Sequence, residues 1–304
     1  MSIPKLLTSV AVAAFTATAL HGEKRCPGNV PSVSLRQVQG AVNVVSVTVN
    51  GAGPFDFLVD TGAQTTTVDE ELASQLRLHE EGKTHVSGAA TYASRSYTHL
   101  AQVEIGNRQV TDVLALIDNL AELHGADRRI RGIVGENFLT HFDLLIDNQR
   151  RAFCLDDTGA MAAGVKGTRI GLAQPYGTDR DLPFTRPLVI ETHLDGVREP
   201  VLFRLDSGTN APVIYGGGQP SLRLDWANAQ ILKRFVNGVE QDFAVLPPRN
   251  VSLGRETIKQ VIFVQTMNSI GAVPQAREDG VLPTQMFRSV FVSYTNQFAI
   301  LDPR

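Results

Sequence analysis

The chain has 304 residues and a formal net charge of −3, with 28 Lys and Arg against 31 Asp and Glu and no basic block. Phosphate backbones are bound by clustered cations, so no nucleic-acid partner is expected. A hydrophobic share of 43% can fill a sizeable core, while 26 Gly and 15 Pro point to many turns and therefore to strands.

At the N-terminus, Lys5 precedes the apolar run Leu6 to Leu20, which ends in the small residues Ala17-Thr18-Ala19. This is the pattern of a secretory signal peptide over residues 1–19, so the expected location is exported, periplasmic or secreted. The run is short and carries Thr and Ser, so no stable membrane span is expected. Cys26 and Cys154 are the two cysteines. In an oxidising compartment they could pair or remain separate thiols; two cysteines fix no geometry. Glu23 to Gly40 shows no assignable pattern.

Val44 to Val49 alternates and closes on Asn50-Gly51, a hairpin turn leading into the apolar strand Phe55 to Val59. That strand ends in Asp60-Thr61-Gly62-Ala63. Asp69 to Leu76 reads as a helix, with Asp69 and Glu70 at its N-terminus. Lys83 to Ile105 is expected to form an extended hairpin around Ser87-Gly88-Ala89, and Val110 to Ile117 another strand. Gly132-Ile133-Val134-Gly135-Glu136-Asn137-Phe138-Leu139 precedes two strands joined at Asn148-Gln149. Gly159 to Pro187 is rich in Gly, Pro and Thr. Residues 159–186 therefore read as a linker between an N-terminal lobe (41–158) and a C-terminal lobe (187–304).

The second half repeats the first. Leu188 to Leu194 closes on Asp195-Gly196, and the strand from Pro200 ends in Asp206-Ser207-Gly208-Thr209. Asn237-Gly238 marks a hairpin within Arg234 to Leu246. Tyr215 to Asn228 carries no pattern. Gly280-Val281-Leu282-Pro283-Thr284-Gln285-Met286-Phe287 matches the block at Gly132, and Asn296-Gln297 matches the Asn148-Gln149 turn. The aspartates lie 146 residues apart and the later glycines 148 apart. Two collinear anchors at nearly one offset indicate a duplicated unit.

An Asp-Thr-Gly turn alone is a weak signal, but a pair of such turns, each after an apolar strand, is specific. The paired motifs, with the block from Gly132 running into Phe142-Asp143-Leu144-Leu145-Ile146-Asp147, resemble the retropepsin-like aspartic peptidases. The likeness extends to their bacterial branch, described as aspartyl-protease-like or gag-polyprotein protease domains, here doubled in a pepsin-like arrangement. It covers residues 42–155 and 187–302. The resemblance implies an all-β, bilobal aspartic peptidase fold of two retropepsin-like β-barrel lobes with few short helices.

It also implies a site. Asp60 and Asp206 would be the catalytic pair, sharing one proton because two close carboxylates cannot both ionise cheaply. The pair titrates as a unit, so neither Asp has a permanent role. Thr61 and Ser207 would brace the two loops, while Gly62 and Gly208 would permit a tight turn and donate backbone N–H groups. A flap over the cleft is implied, with Ser87 to Tyr92 the candidate segment, Gly88 and Tyr92 its key residues, and Tyr92 or Tyr97 a cleft aromatic. An ordinary exposed hairpin is the alternative. The substrate would be a polypeptide lying extended between flap and dyad. One chain carries both aspartates, so a monomer suffices for catalysis.

No cofactor and no metal is expected: the histidines are scattered, without H-E-x-x-H or a Cys/His cluster. Two other readings share the fold, a catalytically silent peptide-binding protein and an enzyme that dimerises through the first lobe. The second half also departs from the first. Pro283 stands where the first half has Gly135, removing a donor and fixing φ, although a proline can also start a helical turn. Asn210-Ala211-Pro212 stiffens the segment after the second motif.

Overall fold

The computed structural model describes residues 25–40, 42–87, 92–173, 188–215, 222, 229–236, 239–266 and 278–304. The fold is all-β and bilobal. Among the described residues the α-helices are short: α1 (Glu70–Gln75), α2 (Ala121–Ala126) and α3 (Glu136–Leu139). None of the described helices is long and apolar enough to cross a membrane. The segments expected as signal peptide and as flap tip (Gly88 to Thr91) lie outside the described residues.

The first half opens with β1 (Ser32–Ser34), β2 (Arg36–Val38), β3 (Val42–Val49), β4 (Ala52–Val59) and β5 (Thr66–Asp69). It continues through β6 (Gly82–Ser87), β7 (Tyr92–Ile105), β8 (Arg108–Asp118), β9 (Ile130–Val134), β10 (Asp143–Asp147) and β11 (Ala152–Asp156). Strand β12 (Thr168–Gly171) lies between the halves. The second half contributes β13 (Val189–Leu194), β14 (Val201–Asp206), β15 (Val213–Ile214), β16 (Gln230–Val236) and β17 (Val239–Val245). It ends with β18 (Arg249–Leu253), β19 (Glu256–Val261), β20 (Val264–Thr266), β21 (Gly280–Pro283), β22 (Phe287–Ser293) and β23 (Phe298–Pro303).

Each half has its own large sheet. The first has the order β2-β3-β4-β9-β5-β8-β7-β6, the second β16-β17-β20-β15-β21-β14-β13-β18-β19. A third sheet, β1-β11-β10-β22-β23-β12, draws on both halves. At its seam β10 pairs antiparallel with β22, and Leu144 faces Val292. One apolar core runs through both halves, from Val59 and Phe138 to Leu205, Leu282 and Tyr294.

The centre of each large sheet is built the same way. Strand β4 runs parallel to β9 with Phe57 opposite Gly132, and β14 runs parallel to β21 with Phe203 opposite Gly280. β9 then pairs antiparallel with β5, as β21 does with β15. The end of β4 and the start of β14 are buried on both faces, which is why Phe57-Leu58-Val59 and Val201-Leu202-Phe203 read as unbroken apolar runs. Gly132 and Gly280 are required by close approach: a Cβ on either would strike the ring of the facing phenylalanine. At the outer end of the β3–β4 hairpin, Asn50 and Gly51 both take positive φ, the type I′ geometry that matches strand twist.

Several expectations change in the structure. Glu23 to Gly40 holds β1 and β2, too short for a period to be visible, and β1 is positioned by pairing with β11. The expected linker contains β12, paired with β23 at the edge of the shared sheet. Asp69 precedes α1 without capping it; its carboxylate accepts from Arg131 Nε at 3.2 Å instead. Cys26 and Cys154 form a disulfide, packed with Val30, Leu145, Met161 and Phe291. The Asn237-Gly238 turn lies outside the described residues, but β16 and β17 flank it with Val236 opposite Val239.

Candidate active site

β4 and β14 end side by side, and the loop after each carries an Asp-hydroxyl-Gly triplet. Strand geometry aims the two aspartates at each other. Asp60 N donates to the Val134 carbonyl at 3.0 Å, holding the end of β4 against β9. Asp60 Oδ1 accepts from the backbone N–H of Gly62 (2.8 Å) and of Ala63 (3.1 Å). Asp206 Oδ1 accepts from Gly208 N at 2.7 Å, and Thr209 N–H supports it as well. The two carboxylates face each other closely enough for the charge of Asp206 to raise the Asp60 carboxyl.

Below the carboxylates, Thr61 and Ser207 lock the loops together. Thr61 N donates to Ser207 Oγ and Ser207 N donates to Thr61 Oγ1, both at 3.1 Å. Each hydroxyl then donates across to the opposite strand, Thr61 to the Leu205 carbonyl (2.8 Å) and Ser207 to the Val59 carbonyl (2.6 Å). Both side chains are completely buried. Four hydrogen bonds therefore fix the separation of the aspartates from beneath.

Gly62 and Gly208 adopt φ values open to any residue, so the tight-turn explanation does not hold for them. Proximity is what demands glycine. A Cβ on Gly62 would lie 2.6 Å from Asp206 Oδ2, and a Cβ on Gly208 would strike Asp60 Oδ2. Each glycine leaves room for the other loop's carboxylate.

Both aspartates keep some surface open to solvent, yet protein atoms crowd them on most sides. That desolvation raises the Asp60 carboxyl well above the usual carboxylate range, with Asp206 adding like-charge repulsion. Burial raises Asp206 too, while the Gly208 N–H and the Arg204 charge hold it down. The pair thus retains a proton at pH values where isolated aspartates have lost theirs.

Pro283 ends β21 in extended backbone with Asp206 as its register partner, and a 3₁₀ turn follows at Thr284–Met286. In the first half the matching Gly135 N donates to Thr66 Oγ1 at 3.3 Å. The second half has proline at both corresponding positions, 283 and 212, so donor and acceptor are deleted together and no group is orphaned.

Of the flap residues, Tyr92 opens β7 and pairs in register with Ser87, the end of β6. Gly88 lies outside the described residues. Tyr97 sits at the base of this hairpin, its ring against Gly82 and edge-on to His99, and is not placed as a cleft aromatic.

Residues 45–138 match the aspartyl protease family. The match supports an aspartyl protease-like domain over this stretch. The match takes in Asp60, Thr61 and Gly62 and reaches α3. No curated protein matches the chain. Asp206, which faces Asp60, lies beyond the matched stretch.

Motif reading missed the groups packed around the end of β14. Arg204 is largely buried and donates through Nε (3.1 Å) and Nη2 (3.0 Å) to Glu278 Oε1. Glu136, at the start of α3, is completely buried, and neither of its oxygens has a hydrogen-bond partner among the described residues. Burial lifts its carboxyl to about 7. The sequence did carry a signal: Arg204 interrupts an apolar strand at the position that Leu58 occupies in the first half.

Proposed function

We propose that the chain is an aspartic endopeptidase, built from a duplicated unit, that hydrolyses polypeptides with water activated by Asp60 and Asp206. The close approach of the two loops carries this reading: each motif glycine leaves room for the other loop's aspartate, and two acids held so close share one proton. The ionised carboxylate takes a proton from water, and the protonated one donates to the scissile carbonyl as water attacks. The tetrahedral intermediate collapses as a proton reaches the leaving amine. No group in this scheme forms a covalent acyl-enzyme. The substrate lies extended across the ends of β4 and β14, beneath the β6–β7 hairpin, bonded through its main chain like an added strand. Because both aspartates belong to one chain, a monomer suffices. We also propose that the protein is exported; the Cys26–Cys154 disulfide supports an oxidising compartment. Mass spectrometry of exported material should find a start near Leu20, and intact cytosolic protein would refute it.

A statine-type mimic tests the activity. Its hydroxyl stands in for the attacking water and its tetrahedral carbon for the intermediate, so a working dyad binds it more tightly than the isosteric ground-state peptide. The preference should fade as rising pH removes the shared proton. Equal affinity for both ligands at every pH, with no cleavage of an unfolded polypeptide, would instead identify a silent peptide-binding protein.

A further inference from the structure

A buried ion pair seldom stabilises a fold more than an apolar pair of the same volume. This fold shows the apolar solution in its own first half. At the repeat spacing, the counterparts of Arg204 and Glu278 are Leu58 and Ile130, both buried. The second half carries charge there, beside the dyad, so stability does not explain it.

The connections suggest what it does. Arg204 and Asp206 are two residues apart on β14 and therefore project from the same face. Besides gripping Glu278, Arg204 donates through Nη1 to the Gly62 carbonyl at 3.3 Å, crossing to the other half. That carbonyl belongs to the 62–63 peptide, whose N–H, on Ala63, donates to Asp60 Oδ1 at 3.1 Å. A continuous path runs from Glu278 through Arg204 and this peptide to Asp60. The reverse path cannot exist, because Leu58 has no donor to offer the 208–209 peptide.

We propose that Arg204 is a positioning residue for the dyad, propping the 62–63 peptide against Asp60 and setting a fixed positive charge behind Asp206, so that the single negative charge of the working dyad rests on Asp206. The proposal rests on the reading of Asp60 and Asp206 as a proton-sharing pair. The groups facing Arg204 are Glu278 before β21, Glu136 on α3, Tyr215 after β15 and Tyr294 after β22, together with Asp206 on its own strand. Glu278 and Glu136 sustain the Arg204 charge against burial. The charge in turn holds Asp206 down.

The test is the titration of the Asp60 and Asp206 carboxyl carbons by NMR in ¹³C-labelled protein, beside the pH profile of kcat/KM. In the double variant Arg204→Leu/Glu278→Ile, which installs the first-half residues, the first ionisation of the dyad and the acid limb of the profile should both rise by about one pH unit or more. Arg204→Lys, which keeps the charge, should restore most of that shift. If the double variant does not fold, Glu278→Gln must move the first ionisation the other way, downward, by freeing the Arg204 charge from its partner. An unchanged first ionisation in folded variants overturns the role of Arg204. Independent, ordinary titration of both carboxylates in the wild-type protein would instead sink the dyad reading itself, whatever Arg204 does.

Discussion

Thr61 and Ser207 exchange hydrogen bonds at 3.1 Å, each backbone N–H donating to the other's hydroxyl oxygen. The distance between the aspartates is thereby set by uncharged residues that are completely buried. Thr61→Val keeps the volume but orphans the Ser207 N–H and the Leu205 carbonyl in the core. It should cost about 2–4 kcal/mol in denaturant unfolding, whereas Thr61→Ser, which keeps the hydroxyl, should cost under about 1 kcal/mol. Equal losses would mean that packing, not the hydroxyl, holds the loops.

Gly62→Ala and Gly208→Ala test the close approach of loop and carboxylate. Backbone strain is not at issue at either position, so both variants should fold with near-normal stability. Each new methyl displaces the opposite carboxylate, and kcat/KM should fall about 100-fold. Wild-type activity in either variant would show that the aspartates do not need their present separation.

Glu136 makes stability depend on pH. Its carboxyl titrates near 7 in the folded protein against 4.5 ordinarily. Below about pH 4 both states hold the proton and nothing is lost. Between 4.5 and 7 the unfolded chain ionises while the folded one does not, so stability declines as pH rises and the full loss is reached above the folded value. The shift sets that loss at about 3 kcal/mol at most. Glu136→Gln should remove this decline, matching wild type near pH 4 and exceeding it at pH 8. Parallel stability curves for the two proteins would count against it.

The Cys26–Cys154 disulfide spans 128 residues and encloses the first lobe. Chain-entropy reasoning puts its contribution at about 5 kcal/mol. Cys26→Ala/Cys154→Ala should lower the Tm accordingly while leaving kcat/KM within about two-fold, because the bridge lies in the apolar cluster with Met161 and Phe291, away from the dyad loops. A large loss of activity at a temperature where the variant is folded would tie the bridge to the site.

What could be read from the sequence was whatever recurs. The Asp-hydroxyl-Gly turns, the Gly132 and Gly280 blocks and the Asn turns repeat at nearly one spacing, and the register of β4 on β9 and of β14 on β21 follows that spacing. Features present once were hidden. β12 is a four-residue edge strand within a Gly- and Pro-rich stretch, and only its pairing with β23 makes it a strand. Asp69 had the composition of a helix cap, but Arg131 outcompetes the helix for its carboxylate. The motif glycines donate N–H groups to the carboxylates as expected, but what demands glycine is the room each leaves for the opposite aspartate, not a turn. Arg204 was visible as a charge in an apolar strand, but its partners are 74 and 142 residues away in sequence.

The central claim is that Asp60 and Asp206 together activate water in a single chain, and the most direct measurement is cleavage of an unfolded polypeptide across pH by the wild type, Asp60→Asn and Asp206→Asn. The wild type should cut, and each variant should lose at least about 1,000-fold in kcat/KM while keeping the wild-type circular dichroism spectrum. Wild-type cleavage by Asp206→Asn, or no cleavage by the wild type at any pH, would contradict the account.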